Sequence, residues 1–205
     1  MPVAPQRTPL AEESAGAETA LLVIDMFSRW DFPDARALAR AAMRVAPRIA
    51  GLKRRCERAG IPTVFVNDNQ GRWRSDAPGI VAASAAATAP GAAIAACLPP
   101  GATDYFVLKP KHSAFFATPL DLLLRHLRVR RLLISGVAGD QCVLLTAIEA
   151  RIQDYDVIVP ADCVGSQTVG RNAIALRHLE KAHKVATPQS RGLRLRGPAA
   201  RRPAA

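Results

Sequence analysis

Short apolar runs alternate with longer amphipathic segments along most of the chain. Such runs are typical of strands that are buried on both faces of a parallel sheet. The predicted strands are Ala20–Ile24, Ile61–Val66, Tyr105–Leu108, Arg131–Ser135, Val157–Pro160 and Val185–Thr187. Between them, apolar residues recur at three- and four-residue spacing, as on one face of a helix. This alternation predicts an α/β fold with three αβα layers and a doubly wound, mostly parallel six-stranded sheet.

Capping residues and breakers set the expected limits of the helices. Asp34 can cap a long first helix, which Gly60 ends. Pro47 lies inside its apolar stripe, so a kink or two abutting helices are expected there. The basic residues on the opposite face are predicted to be solvated: Lys53, Arg54, Arg55 and Arg58. Thr118–Pro119 begins a later helix as a cap followed by a first-turn proline.

No repeat or linker divides the pattern, so residues 19–187 are predicted to form one domain. Residues 1–18 are predicted to be a flexible N-terminal segment, and residues 188–205 a basic disordered tail. Met1–Gly16 lacks the apolar core of a secretory signal. The longest uncharged run, Ile80–Leu98, is mostly Ala, Ser and Thr, so no membrane span is expected.

Composition narrows the functional classes. The 205 residues carry a formal net charge of +11 and are 49% hydrophobic, which suits one folded domain rather than a disordered chain. The arginines are concentrated in the tail and on helices without a nucleic-acid motif, so no nucleic-acid partner is predicted. The four cysteines show neither C-x-x-C spacing nor an adjacent histidine, which argues against zinc or a disulfide framework and favours a reducing cytoplasm.

Three chemically distinctive residues each follow a predicted strand: Asp25, Lys109 and Cys142. Each alone has an ordinary interpretation, since Asp25 could be a turn residue, Lys109 a surface lysine and Cys142 a small core residue. Ligands of parallel α/β sheets bind beyond the carboxyl ends of the strands. An acid, a base and a thiol on this one edge therefore favour a catalytic site.

Cys142 lies where a glycine-containing turn leads into a helix. Unpaired N–H groups at a helix start favour an anion, which predicts a lowered thiol pKa. Asp25 could take the thiol proton and return it to a leaving amine, while Lys109 would favour both anions. Backbone N–H groups of the turn Ala138–Cys142 could hold an oxyanion. The implied chemistry is acyl transfer to water through a cysteine-linked intermediate.

The sequence resembles the isochorismatase-like cysteine hydrolases, which include nicotinamidases, N-carbamoylsarcosine amidases and isochorismatases. The resemblance spans about residues 20–186, and the matching segments are Ala20–Met26, Pro62–Asp68, Val107–Phe115, Ile134–Ala147 and Val159–Asp162. It implies Asp25 as general base and acid, Lys109 as its electrostatic partner and Cys142 as nucleophile. It also implies a cis peptide between Val137 and Ala138, with the amides of Ala138 and Cys142 forming the oxyanion hole.

The loop after the second strand departs from one branch of this family. Nicotinamidases carry an Asp-x-His metal site with a further histidine there, whereas Asp68–Trp73 reads D-N-Q-G-R-W. No metal or other cofactor is therefore predicted. His112 has no accompanying histidine or cysteine and is not predicted to be a ligand. The candidate walls of a substrate pocket are aromatic: Phe27, Trp30, Trp73 and Phe115.

Three functional hypotheses follow. The leading one is metal-independent hydrolysis of a small amide or N-carbamoyl compound through an acyl-Cys142 intermediate. Isochorismatases hydrolyse a vinyl ether and do not need the thiol, so an ether hydrolase using Asp25 and Lys109 is an alternative. A third hypothesis is a non-catalytic module that binds an acidic partner through its basic tail or helices. The resemblance further implies a homo-oligomer, either a dimer or a tetramer.

Overall fold

The computed structural model describes residues 18–86 and 89–195. Its sheet consists of β1 (Thr19–Ile24), β2 (Thr63–Asp68), β3 (Tyr105–Lys109), β4 (Arg131–Val137), β5 (Asp156–Ile158) and β6 (Val164–Gly165). The strand order is β3-β2-β1-β4-β5, and all the pairings are parallel. The short β6 pairs with β4 at Gly136 and Val137, further along the edge that β5 also uses.

Helices cover both faces of the sheet. They are α1 (Ala35–Arg58), α2 (Ala77–Ala86), α3 (Ala89–Cys97), α4 (Leu120–His126), α5 (Leu144–Ile152) and α6 (Val169–His183). Successive side chains of β1 point to opposite faces, so Leu22 joins the core beneath α4, α5 and α6, while Leu21 joins the core beneath α1, α2 and α3. The predicted three-layer α/β class is confirmed.

Three local predictions are corrected. The segment Val185–Thr187 contributes a single bridge, from Ile158 to Ala186, and the sixth strand is the two-residue β6, which is too short to stand out as an apolar run. The helix α1 passes through Pro47 as one element rather than as two abutting helices. Asp34 precedes α1, but with a φ of 61° its side chain makes no capping hydrogen bond.

The beginning of the predicted tail is folded against the domain. Arg55 donates to the carbonyl oxygens of Ser190 and Leu193 at 2.7 and 2.5 Å. The Asp162 carboxylate accepts from both the N–H and the hydroxyl of Ser190 at 2.6 and 2.7 Å. Disorder is therefore a wrong prediction for residues 188–195. The predictions for residues 1–17 and 196–205 lie outside the described residues.

Strand order reverses between β1 and β4, which is where parallel α/β sheets open a crevice. Asp25 directly follows β1, and a π-helical turn at Gly139–Val143 follows β4. Within β4, Gly136 has a φ of 116°, and a Cβ there would lie 2.0 Å from the carbonyl oxygen of Ile24. Only glycine therefore allows the two central strands to approach at this point. Among the described residues, no helix is both long and apolar enough to cross a membrane.

Candidate active site

A cavity of about 480 Å³ lies at this crevice, and Asp25 and Cys142 both line it. Lys109 is the last residue of β3, and its side chain is fully buried. Its ammonium Nζ lies 2.9 Å from Asp25 Oδ2 and 3.5 Å from Cys142 Sγ. The structure thus brings together the three residues that follow or end predicted strands.

The Lys109 ammonium is enclosed by acceptors. Besides Asp25 and Cys142, its Nζ lies 3.5 Å from Asp68 Oδ2 and 3.1 Å from the carbonyl oxygen of Lys111. Burial lowers the pKa of Lys109, but the interactions with its neighbours, first among them the negative charge of Asp25, outweigh burial and raise it to about 12. The lysine is therefore a buried, fixed positive charge, and the surface-lysine interpretation is wrong.

Two donors hold the Asp25 carboxylate in place. Its Oδ1 accepts the backbone N–H of Asp68 at 2.7 Å, and its Oδ2 faces Lys109. Burial raises the pKa of Asp25, against the opposing effects of the Lys109 charge and of hydrogen bonds from Cys142, Lys109 and the Asp68 amide. A carboxyl group with a raised pKa is a stronger base when ionised, which suits proton abstraction from a thiol.

Cys142 is a buried thiol at rest. Burial and the charge of Asp25 raise the pKa of Cys142, and Lys109 offsets this only in part. The lowering predicted from the helix start is therefore wrong, because burial and the nearby Asp25 carboxylate outweigh the positive charge of Lys109. Asp25 and Cys142 both contact Lys109 Nζ and both line the cavity, so the base that would take the thiol proton lies beside the thiol.

The turn that carries Cys142 is closely packed at Gly139, so a side chain there would force its neighbours to move. A Cβ there would lie 2.4 Å from Asn172 Oδ1 and 2.7 Å from Val164 Cγ1. Just before it, the peptide bond between Val137 and Ala138 is cis, which confirms the form that the family resemblance implies. Ala138 and Cys142, the two predicted oxyanion-hole residues, both line the cavity.

Sequence reasoning missed two further residues of the site. His112 Nδ1 lies 3.6 Å from Cys142 Sγ, and His112 lines the cavity. Asn67 exchanges two hydrogen bonds with the backbone of Phe27, accepting from its N–H at 3.1 Å and donating to its carbonyl oxygen at 2.8 Å. The signal for His112 was its position three residues after Lys109, but only the folded loop shows that this position faces the thiol.

The four aromatic candidates divide into two pairs. Phe27 and Trp30 line the cavity, as predicted for pocket walls. Trp73 is 83% exposed and does not line it, because its loop turns the ring toward solvent. Phe115 is buried on the other face of the sheet, where its ring lies 5.9 Å from that of Tyr155. Neither Trp73 nor Phe115 is therefore a wall of this cavity.

The donor set near Asp68 does not fit a metal site of the nicotinamidase kind. Asp68 faces the Lys109 ammonium, and its Oδ1 accepts from the backbone N–H of Gln70. Gln70 and Arg72 occupy the lining where imidazole ligands would be needed. Within residues 18–86 and 89–195, no three His, Cys, Asp or Glu side chains are grouped as potential metal ligands.

Comparison with known proteins gives a consistent result. Residues 19–190 match the family model described as the isochorismatase domain. The chain is similar to the uncharacterized isochorismatase family protein YaaI of Bacillus subtilis, with 35% identity over 164 residues that cover 80% of this chain and 90% of that protein. It is also similar to maleamate amidohydrolase of Pseudomonas putida, with 28% identity over 160 residues that cover 74% of each.

A solved structure shares the fold along almost its whole length. The crystal structure of an isochorismatase family protein from Desulfovibrio vulgaris aligns with a TM-score of 0.69 and 28% sequence identity. The alignment covers 86% of this chain and 96% of that one.

Proposed function

The chain belongs to the isochorismatase family and is a hydrolase, and we propose that it cleaves a small amide or N-carbamoyl compound through an acyl-Cys142 intermediate. The observation that carries the proposal is the contact of one buried ammonium, Lys109 Nζ, with both Asp25 and Cys142 at the wall of a cavity. The similarity to maleamate amidohydrolase supports an amide rather than another substrate class.

The first half of the reaction forms the acyl-enzyme. Asp25 takes the thiol proton as Cys142 Sγ attacks the carbonyl carbon of the amide. The resulting oxyanion would accept from the amides of Ala138 and Cys142, which we assign as the oxyanion hole. Asp25 then gives the proton to the leaving nitrogen, the C–N bond breaks, and ammonia leaves a thioester on Cys142, or a thiocarbamate when the substrate is an N-carbamoyl compound.

The second half regenerates the thiol. Asp25, again a carboxylate, takes a proton from water as the water oxygen attacks the thioester carbon. Collapse of the second tetrahedral intermediate breaks the C–S bond, and the proton on Asp25 returns to the departing sulfur. The products are free Cys142 and a carboxylic acid, or, from an N-carbamoyl compound, a carbamic acid that breaks down to an amine and CO2. Throughout both halves Lys109 stays cationic, because it is held by two carboxylates, and stabilises whichever of its neighbours is anionic.

The contacts of Cys142 favour this route over ether hydrolysis. A hydrolase that used only Asp25 and Lys109 would have no need of a thiol that contacts Lys109 at the wall of the cavity. A non-catalytic binding module would equally have no need of a nucleophilic side chain placed against a buried ion pair at the wall of a cavity.

The proposal is tested by ammonia release from a panel of small primary amides and N-carbamoyl compounds. We expect turnover by the wild type and none above background by Cys142→Ala. Cys97→Ala is the matched control, because Cys97 is on α3 and does not line the cavity. Wild-type turnover by Cys142→Ala would overturn the covalent mechanism. Release of a dihydroxylated product from isochorismate by Cys142→Ala would instead establish the ether hydrolase.

We also propose that the enzyme acts in the cytoplasm as a homo-oligomer, either a dimer or a tetramer. The family resemblance supports the oligomer, and the four free cysteines support a reducing compartment. Light scattering after gel filtration would measure the mass directly. A single species at the monomer mass of 21.9 kDa would contradict the oligomer.

A further inference from the structure

A second pocket, of about 300 Å³, adjoins the catalytic cavity. Three arginines line it: Arg29 from the chain after β1, and Arg72 and Arg74 from the loop after β2. We call this space the arginine pocket. Gln70 and Arg72 line both the arginine pocket and the catalytic cavity, and both residues are exposed. A ligand can therefore pass from one space to the other over these two side chains.

Hydrogen bonds of buried residues fix the segments that carry the arginines. Asn69 is buried, and its carbonyl oxygen accepts the N–H of Arg72 at 2.9 Å. Ser28, next to Arg29, is also buried, and its N–H donates to Ser84 Oγ of α2 at 3.3 Å. The backbone that presents the arginines is therefore part of the packed fold, although the arginine side chains are exposed.

The protein itself does not balance the charge of the arginine pocket. Within residues 18–86 and 89–195, none of its three guanidinium groups forms an ion pair or a hydrogen bond. Asp76 is the one acidic residue in the described lining, and its Oδ1 accepts the N–H of Gly79 at 2.7 Å. Three positive charges and one negative charge leave a formal charge of +2. Arginines with free donors are suited to bidentate binding of a carboxylate or phosphate.

The catalytic cavity has the opposite character. Its lining includes Asp25, Asp31 and Asp68, and Arg72 is the one arginine or lysine in the described part of that lining. Lys109 pairs with Asp25 and Asp68, which leaves one carboxylate in excess even before the exposed Arg72 at the border is set against it. An anion close to the nucleophile would therefore face aspartates, whereas an anion beyond Arg72 would face further arginines.

We propose that the arginine pocket binds an anionic group at the end of the substrate that is remote from the scissile amide. The inference rests on the proposed function, because that function places the amide at Cys142. The substrate class is then a small amide or N-carbamoyl compound whose other end is an acid. The catalytic cavity, at about 480 Å³, is within the range of about 300–1,000 Å³ that is usual for ligand sites, so it has room for a spacer between the amide and the acid.

Two matched pairs of primary amides test for the remote acid. Adipamate is paired with 6-oxoheptanamide, and succinamate with 4-oxopentanamide, so that a neutral methyl ketone of similar shape replaces each carboxylate. The measurement is kcat/KM from ammonia release, expressed as the ratio of acid to ketone. We expect a ratio of about tenfold or more for the adipamate pair. The ratio should be smaller for the succinamate pair, because the shorter spacer leaves that carboxylate nearer to the aspartates of the cavity.

Substitutions assign the preference to the arginines. Arg72→Met is expected to lower the adipamate ratio by about fivefold or more, and Arg72→Lys, which keeps the charge but not the planar fork, to retain part of it. Arg29→Met combined with Arg74→Met is also expected to lower the ratio. Arg54→Met is the matched control, because Arg54 is an exposed arginine that lines neither space. It should leave the ratio unchanged.

Inorganic phosphate separates an anion that the substrate carries from a free anion. Phosphate is expected to compete with adipamate and to raise its KM more in the wild type than in Arg72→Met. A site for a free anion would give a different result: phosphate would change kcat/KM for 6-oxoheptanamide, and without phosphate the enzyme would turn over adipamate and 6-oxoheptanamide equally. That result would overturn the assignment to the substrate.

The remaining outcomes separate this inference from the proposed function. Equal kcat/KM within both pairs, or a ratio at least as large for succinamate as for adipamate, would overturn the inference while amide hydrolysis stands. So would a wild-type adipamate ratio in both Arg72→Met and the double variant. Absence of ammonia release from these and all other amides would contradict the proposed function and the inference with it. Loss of folded protein does not move a ratio, because both members of a pair are measured on one preparation.

Discussion

Two lysines are buried in the described part of this domain, and their surroundings differ. Lys109 is fully buried at the end of β3, and Lys53 is 6% exposed on α1. Each is held by two carboxylates: Lys109 by Asp25 and Asp68, and Lys53 by Glu57 and Asp104. The negative partners raise the pKa of both lysines against the effect of burial, so both remain charged.

The difference lies in what else each ammonium meets. Lys109 Nζ also contacts a thiol, and both that thiol and Asp25 line a cavity. Lys53 Nζ is paired with the carboxylates of Glu57 and Asp104, and Asp104 in turn accepts the Gly101 N–H at 2.6 Å, which ties the chain before β3 to α1. A buried ion pair is therefore not a functional signal by itself. A buried ion pair indicates a functional site when a nucleophilic side chain contacts it and a cavity large enough for a substrate lies beside it.

Among substitutions of the groups around Lys109, removing the proposed base Asp25 is expected to lower kcat/KM the most. Asp25→Asn keeps the shape but cannot take the thiol proton, so kcat/KM should fall by about 10³-fold or more. His112→Asn is the informative companion, because His112 Nδ1 is the other possible acceptor near Sγ. We expect only a several-fold loss there. A loss from His112→Asn as large as that from Asp25→Asn would make His112 a base and contradict the assignment.

Replacing each lysine in turn tests the comparison directly. Lys109→Met leaves Asp25 without its cation and raises the cost of ionising it, so kcat/KM should fall by about 10²-fold or more. Lys53→Met should leave kcat/KM within about twofold, because Lys53 and its partners do not line the cavity. Steady-state kinetics on one amide substrate measures both variants. Equal losses of activity would remove the distinction between the clusters.

The pH profile should report the raised pKa of Asp25. The carboxylate is the active form, so activity is lost as pH falls through that pKa, and the acid limb of kcat/KM should lie above the ordinary aspartate value of about 4. Lys109 has a pKa of about 12 and should contribute no loss at moderately alkaline pH. An acid limb at or below the ordinary aspartate value would contradict the buried environment assigned to Asp25.

The smallest effect expected on activity belongs to Lys53, whose replacement should instead lower stability. Lys53→Met leaves Asp104, with a side chain only 4% exposed, without its cation. Breaking such a pair should lower the free energy of unfolding by about 1–3 kcal/mol. Urea denaturation measures this change, and Arg54→Met on the exposed face of α1 is the matched control. An unchanged unfolding free energy for Lys53→Met would show that the pair contributes nothing to stability.

The same two lysines mark what sequence could and could not predict. Lys109 stands directly after a recognisable apolar run, so its place at the sheet edge followed from periodicity and its role from the family resemblance. Lys53 falls on the polar face of α1 by helical spacing, and it was predicted to be solvated. It is buried because the chain before β3 covers it, and helical periodicity carries no information about a segment that lies far away in sequence.

The environment of a side chain is the second property that the sequence alone did not predict. Asp25 and Cys142 were placed correctly, but the pKa of Cys142 was predicted to be lowered from the helix start alone, whereas burial and the adjacent carboxylate decide its direction. His112 belongs to a connecting segment whose path is set by tertiary contacts. The short strand β6 is formed by pairing with β4 rather than by any apolar pattern of its own.

Lys109 differs from Lys53 in that it contacts Cys142, the residue proposed to form a covalent bond with the substrate. Intact-protein and peptide mass spectrometry after rapid acid quenching, during turnover of an amide identified by ammonia release, tests this most directly. We predict a mass increase equal to the acyl group on the peptide containing Cys142, lost on standing in substrate-free buffer and absent from Cys142→Ala. Turnover with no adduct on Cys142 at any quench time, together with activity in Cys142→Ala, would contradict the account.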